Sequence, residues 1–236
     1  MGKRSSISHK QLIVSCVLTV INTLCLIVYS FQNTWSRVHL FLTKWSLYLN
    51  SLYMIITMIA DIKLYCKDAS LEGLNDIMRN SIGPSLNGIS HVVMVAYWVL
   101  LPLGMIEFSS SNLVLEVIKN TYTHGFISLF LIADVFVMHR DNINIQMANV
   151  IGLTGFLAMY MIILIVECFL RGKPNPYVFM DSMSLELIML VGAVIFVGMI
   201  LGYCAHVGLV KLKYKCNVCV DGRNADKEGH EVNLVS

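Results

Sequence analysis

Charge is scarce in this chain. Only 14% of its 236 residues are charged, whereas 56% are hydrophobic. A soluble domain of this length rarely has such a composition, and several segments approach the ~20 apolar residues that cross a bilayer. The net charge of +2 is too small to indicate a nucleic-acid partner. The composition therefore predicts an integral membrane protein.

Other features are absent as well. The chain has no convincing internal repeat, no low-complexity segment and no polar stretch long enough to fold as a separate soluble domain. Its seven cysteines do not form a secreted disulfide framework, because they lie in apolar segments or just beyond them. No cleavage site follows the basic start, and the first apolar run is long for a signal peptide. We expect that run to be retained.

The hydrophobic pattern predicts an all-α, multi-pass transmembrane bundle that forms a single domain over residues 1–236. The predicted spans are Gln11–Phe31, Phe41–Tyr65, Ile89–Ile106, Tyr122–Val137, Asn149–Phe169 and Leu185–Val210, followed by a tail over 211–236. The loop Cys66–Gly88 mixes charged and apolar residues at a spacing that suits a short helix lying at the membrane interface.

Lysine and arginine predict the orientation. They concentrate on the side of the membrane that holds both termini and the loop with Arg79, whereas the other side has few. Both termini and the tail are therefore expected to be cytosolic. No terminal retention signal is present, so the endoplasmic reticulum and the plasma membrane both stay open as locations.

The second span carries polar residues along one side only. At ~100° per residue, its polar positions fall within about 60° of one another. They are Thr43, Ser46, Asn50, Thr57 and Asp61. Because hydrocarbon offers these groups no hydrogen-bond partner, the stripe should face the bundle interior or a wet cavity.

Two polar layers follow from the order of the spans. Thr43 opens the second span and His124 opens the fourth, so both lie at the same membrane surface, which the orientation makes luminal. The opposite end collects Asp61, His91, His139 and His206, with Asp134 somewhat deeper. These are ligand types for Zn²⁺ or Fe, but no tightly spaced pair supports a metal, and hydrogen bonds between spans are the simpler interpretation.

The luminal layer has the parts for covalent hydrolysis. A threonine hydroxyl is a weak nucleophile until a base takes its proton, and histidine is the usual base. A threonine that opens a helix is nevertheless common as a cap or packing residue, and a histidine in a span can be held by a neighbouring helix alone. The residue types therefore suggest the chemistry without specifying it.

Short motifs resemble those of the androgen-induced protein family. The run Trp35–Trp45, which contains Phe-Leu-Thr, and the later Asp61 resemble the second span of that family. The segment Thr123–Asp134 is similar to a second signature, in which a histidine opens a span and an acidic residue follows about three turns later. Trp98 and the element Pro176–Asp181 resemble further family positions.

The resemblance implies a hydrolase of fatty acid esters of hydroxy fatty acids, acting on lipid drawn from the bilayer. It implies Thr43 as nucleophile and His124 as base, with no cofactor and no metal. Support for the substrate or the oxyanion is expected from five positions. These are Ser46, Asn50, Trp98, Asp61 and Asp134. Lys44 departs from the family pattern, and the expected role for its ammonium is to reach the lipid headgroups.

Two other functions stay open at this point. One is a non-catalytic interaction or regulatory protein of the same architecture, in which the polar stripe only holds helices together. The other is a small ion-coupled transporter that uses Asp61 and Asp134. The lack of repeats and of spans broken by Gly or Pro disfavours the transporter.

Overall fold

All regular structure in the described part of the chain is helical, as predicted, with no strand there. The computed structural model describes residues 7–32, 42–101, 121–122, 124, 127–137, 145–172, 180 and 183–232, with most side chains as far as Cys216. The helices are α1 (His9–Gln32), α2 (Leu42–Tyr65), α3 (Glu72–Ile77), α4 (Gly83–Leu100), α5 (Ile127–Val137), α6 (Met147–Leu164) and α7 (Leu185–Val232). Two π-helical segments connect or extend them: Met78–Ile82 joins α3 to α4, and Ile165–Leu170 continues α6.

Each predicted span overlaps one of the six long helices. Among the described residues, three helical stretches are long and apolar enough to cross a bilayer, namely Leu42–Tyr65, Met147–Leu170 and Leu185–Cys216. The last helix does not stop where the predicted tail begins but runs on to Val232. At 1.5 Å per residue its 48 residues extend about 72 Å, well beyond the ~30 Å of a hydrocarbon core.

The core lies where five helices meet. Tyr53, Leu86, Leu131, Leu153 and Tyr203 come from α2, α4, α5, α6 and α7, and all belong to one buried apolar cluster. The outward faces of the same helices carry leucine, isoleucine and valine side chains that are more than 40% exposed. Such apolar exposure suits a lipid environment, since hydrocarbon solvates these side chains as well as a protein core does.

The tightest contact in the bundle is between α4 and α7, and glycine allows it. A Cβ added to Gly88 would lie 2.5 Å from the carbonyl oxygen of Met199, and one added to Gly202 would lie 3.0 Å from the Cα of Gly88. Small residues let two membrane helices approach backbone to backbone, which strengthens their van der Waals contact. This pair fixes α4, which carries side chains of the candidate site.

The turn between α2 and α3 is capped by Asp68. Its carboxylate accepts a hydrogen bond of 2.9 Å from the backbone N–H of Ser70 and lies 3.2 Å from the ammonium of Lys63. These donors, the Ser70 backbone first, lower the pKa of Asp68 to about 2. The cap starts the helical turn Ala69–Leu71 that leads into α3.

The predicted surface position of the loop Cys66–Gly88 is wrong for its second half. Asn75 and Arg79, one helical turn apart, are buried, whereas Leu74, Ile77 and Ile82 are exposed. Two polar side chains of this segment thus face the bundle and three apolar ones face outward, although Asp76 is exposed and Met78 is buried. The third span, predicted from Ile89, accordingly belongs to a helix that begins at Gly83; its predicted end at 102–106 lies outside the described residues.

Candidate active site

The polar stripe of α2 faces the bundle interior, as its composition predicted. Ser46, Asn50, Thr57 and Asp61 are all buried, and Thr43 at the start of the helix is half-buried. The Thr57 hydroxyl donates to the backbone carbonyl oxygens of Tyr53 and Met54 in its own helix. Ser46 and Asn50 near one end of the stripe, and Asp61 at the other end, instead bond to residues of other elements.

Lys44 does not reach the headgroups as the sequence suggested. Its side chain is only 8% exposed, and it has an interaction partner within the protein. Burial of an ammonium beside Thr43 places a cationic group next to the predicted nucleophile along the chain. Charge far from water interacts strongly with its neighbours, so the partner of Lys44 within the protein stabilises it there.

The imidazole of His124 is stacked on the ring of Tyr97. The two ring centroids lie 4.0 Å apart and the planes differ by 5°. Tyr97, near the end of α4, is buried, whereas the adjacent Trp98 is 49% exposed and meets Tyr97 edge-on at 5.4 Å between centroids. The predicted base and the predicted substrate-binding tryptophan are thus connected through a tyrosine that the sequence analysis did not single out.

Tyr122 links the His124 segment to the start of α2. Its ring packs against Leu47, which lies one helical turn after Thr43. Its hydroxyl donates to the backbone and side-chain oxygens of Asn22 on α1, at 2.9 and 3.0 Å. These contacts bring the segment that carries His124 to the end of α2 that carries Thr43, although none of the hydrogen bonds between described residues joins Thr43 directly to His124.

Ser46 and Asn50 hold α2 against α4. The Asn50 amide donates to the Ser90 hydroxyl at 2.7 Å and to the backbone oxygen of Ser46 at 2.7 Å, and the hydroxyls of Ser46 and Ser90 are 3.0 Å apart. Both side chains are therefore committed to an interhelical network. To donate to an oxyanion, either side chain would have to break one of these hydrogen bonds. In the structure, they fix the register of the two helices.

The other end of the stripe holds a buried ion cluster. Arg79 donates through Nη2 to Asp61 at 2.5 Å and through Nη1 to Asp134 at 2.6 Å, and both carboxylates are buried. Neutral donors complete the cluster: Ser15 and Asn75 bond to Asp61, and Tyr53 bonds to Asp134. All four carboxylate oxygens therefore accept a hydrogen bond, which is the arrangement that makes buried charge tolerable.

This cluster changes how Asp61 and Asp134 are understood. The sequence analysis offered them as support for the substrate, as metal ligands or as an ion relay, with Arg79 counted as a surface cation. With the guanidinium between them, they join α2 and α5 through the segment Met78–Ile82. Arg79 escaped notice because an amphipathic segment gives the same pattern whether its polar side faces water or the interior.

Two histidines at that end, His91 and His206, also bond to protein groups, whereas His139 lies outside the described residues. The Asn87 amide nitrogen lies 2.5 Å from Nδ1 of His206, and His91 Nδ1 lies 2.9 Å from the Asn87 backbone oxygen. In the part of the chain that the structure describes, no three His, Cys, Asp or Glu side chains are grouped as a metal site. Asn87 thus ties α4 to α7 here, in the manner expected of polar residues between membrane helices.

Parts of the family-like motifs lie outside the described residues. These are the positions before Leu42 in the first motif, Thr123, Gly125 and Phe126 in the second and, in a third element, all of Pro176–Asp181 except Met180. Met180 itself is buried in a cluster with Leu164 and Ile188, which holds the end of α6 against the start of α7.

Comparison with protein-family models gives a match to FAR-17a/AIG1-like protein over residues 10–211. Neither the curated proteins nor the solved structures give a match to the chain. The family match covers all six long helices except the far end of α7, so it applies to the whole bundle and to both polar layers. The chain therefore belongs to the FAR-17a/AIG1-like family, the androgen-induced gene 1 family that its short motifs resemble.

Proposed function

We propose that this membrane protein hydrolyses lipid esters, with fatty acid esters of hydroxy fatty acids as the substrate class, through Thr43 as nucleophile and His124 as base. Membership of the androgen-induced gene 1 family is compatible with this chemistry. The single observation that carries the assignment is the packing of Tyr122 on Leu47, since it brings the His124 segment to the helical turn that Thr43 opens.

The proposed reaction has two steps. His124 takes the proton of Thr43, whose oxygen attacks the ester carbonyl; the alcohol leaves with that proton, and an acyl-threonine forms. A water molecule then gives a proton to His124 and attacks the acyl group, which releases the fatty acid and returns the proton to Thr43. Since none of the hydrogen bonds between described residues joins the two side chains, the proposed proton transfer requires them to come together when substrate binds, and catalytic hydrogen bonds are often long before that point.

The surroundings suit an apolar substrate. Trp98 is half-exposed at the outer surface beside the Tyr97–His124 stack, and Val95 and Val99 on the same helix are exposed too. An ester with long acyl chains can reach this surface from within the bilayer, so its chains never need to enter water. Trp98 is proposed to contact these chains, while Lys44 is the buried cation nearest to Thr43 in sequence.

The cluster around Arg79 argues against the transporter. An ion relay needs carboxylates that exchange protons or ions, whereas Asp61 and Asp134 already pair with a guanidinium and with neutral donors. The non-catalytic alternative keeps some support, since Ser46 and Asn50 do hold helices together. The experiment below separates it from the hydrolase.

The test is hydrolysis of a synthetic fatty acid ester of a hydroxy fatty acid by the purified full chain in nanodiscs, with the released hydroxy acid quantified by mass spectrometry. We expect Thr43→Ala and His124→Ala to lower turnover at least about 100-fold, the range that loss of a nucleophile or general base gives. Thr43→Ala should also abolish covalent labelling by a fluorophosphonate ester.

Thr57→Ala is the matched control. It removes the same hydroxyl from the same helix, but from a side chain that bonds only to its own backbone in the described structure. We expect it to keep turnover within about twofold of the parent, because hydroxyls bonded to their own helix contribute little. Unchanged turnover in Thr43→Ala, in protein with the parent melting temperature, would refute the hydrolase and leave the non-catalytic alternative.

A further inference from the structure

We propose that Tyr97 is a positioning residue that holds the imidazole of His124 in the plane required for proton transfer. The inference rests on the hydrolase proposed above and extends it to Tyr97, the neighbour of Trp98, for which the sequence analysis proposed no role. Its basis is the stacked pair itself, with ring centroids 4.0 Å apart and an angle of 5° between the planes.

Stacking restricts the imidazole in a specific way. Parallel rings at this separation cover one face of the histidine completely, so rotation of the imidazole about its own axis would drive its edge into the phenol ring. Both ring nitrogens lie in the plane of the imidazole, away from the stacked face, and Nδ1 is buried. The contact therefore fixes the direction in which the nitrogens point without itself covering them.

The tyrosine is itself held in register with the nucleophile's helix. Tyr97 follows Ser90 by seven residues, which at 3.6 residues per turn is about two turns, so both lie on the same face of α4 to within about 20°. Ser90 bonds to Asn50 and approaches Ser46 on α2. Thr43 precedes Ser46 by one turn, towards the same end of the bundle as Tyr97.

The platform beneath His124 is rigid. Tyr97 is only 5% exposed, and its helix is pressed against α7 through Gly88. Trp98 covers the edge of Tyr97 on the outer side, at an interplanar angle of 83°. A base presented by a buried ring on a fixed helix is pre-oriented before substrate arrives, and orientation of reacting groups is a large part of enzymatic rate enhancement.

The test compares Tyr97→Phe with Tyr97→Leu in nanodiscs, with kcat and KM measured on the same lipid ester and corrected for the folded fraction. Phenylalanine keeps the stacked ring, so we expect its kcat to stay within about threefold of the parent, whereas leucine should lower kcat about 10- to 100-fold, the cost of a misplaced catalytic group. KM should change less than about twofold in both variants, since orientation of the base acts on the chemical step.

Tyr203→Leu is the control for general damage. It removes another fully buried tyrosine ring from the core, on α7, whose hydroxyl bonds to Gln146 and Asn149. We expect it to lower the melting temperature with kcat per folded molecule unchanged. Equal kcat for Tyr97→Leu and the parent would overturn the positioning role, as would an equal loss in the phenylalanine and leucine variants.

The outcomes separate this inference from the hydrolase itself. If Thr43→Ala and His124→Ala lose turnover while Tyr97→Leu keeps it, only the role of Tyr97 fails. If the two catalytic variants keep turnover, the hydrolase fails and the positioning role falls with it. Loss of kcat in Tyr97→Leu and its recovery in Tyr97→Phe, alongside inactive Thr43 and His124 variants, supports both.

Discussion

Replacement of Arg79 by methionine should lower the free energy of unfolding by more than the loss of a surface ion pair would. The guanidinium side chain is 5% exposed and lies 2.5 Å from Asp61 and 2.6 Å from Asp134. Its removal leaves two buried carboxylates without their guanidinium partner, and breaking one buried pair in this way costs about 3–5 kcal/mol. At ~1.4 kcal/mol per factor of ten, the folded-to-unfolded ratio should fall roughly 10²- to 10⁴-fold.

A second arginine provides the matched control. Arg171 also lies 2.5 Å from a carboxylate, that of Glu167, but its own side chain is 63% exposed. Arg171→Met removes the same group from a pair of the same length, but it leaves one carboxylate unpaired instead of two, that of Glu167, whose side chain is 10% exposed. Because water can take the place of the exposed guanidinium, we expect a clearly smaller loss than for Arg79→Met, about 1–2 kcal/mol. The measurement is the free energy of unfolding in mixed micelles titrated with a denaturing detergent.

The physical cause can be separated from simple loss of contacts. If the cost of Arg79→Met comes from uncompensated charge, then adding Asp134→Asn should recover part of it, since the double variant strands one carboxylate instead of two. Additive losses in the double variant, or losses for Arg79→Met and Arg171→Met within about 1 kcal/mol of each other, would refute the reasoning.

Two further predictions concern packing and capping. Gly88→Ala should lower the free energy of unfolding by about 1–3 kcal/mol, because the new Cβ would lie 2.5 Å from the Met199 carbonyl oxygen. Gly208→Ala is the control: its new Cβ would have no atom within 4 Å, so we expect the free energy of unfolding to be unchanged or raised by up to about 1 kcal/mol. Equal effects of the two substitutions would contradict the close approach of α4 and α7. The pKa of Asp68, about 2 in the folded protein against 3.8 for the free residue, means that its cap on Ser70 stabilises the turn above about pH 4 and is lost as pH falls through 2. A carboxyl titration by NMR measures this, and a midpoint near 3.8 would show that the cap does not form.

Much of the helical architecture could be predicted because the bilayer imposes a simple rule. Long apolar runs must be helices there, since the backbone has no other hydrogen-bond partner. The same rule predicted that the α2 stripe turns inward, and Ser46, Asn50, Thr57 and Asp61 are indeed buried. What a stripe meets is a different matter, because that depends on contacts between residues far apart in sequence.

Arg79 shows why the partners could not be predicted. Positive residues in a loop between spans are ordinarily counted as surface charges, and the spacing of Asn75 and Arg79 fits an interfacial helix equally well. Arg79 lies in the interior because carboxylates pair with it there, and one of them, Asp134, is 55 residues away in sequence. Tyr97 escaped prediction for a similar reason, since a buried aromatic in an apolar helix gives no sign that a histidine lies on its face.

The parts of the Arg79 cluster are synthesised at different times. At about 5–20 residues per second, the 55 residues between Arg79 and Asp134 take roughly 3–11 s to translate. During that interval Asp61 has already been synthesised but Asp134 has not, so Arg79 has only one of its two carboxylate partners. The ion cluster is therefore complete only after α5 has been synthesised, at a time when α6 and α7 have still to follow.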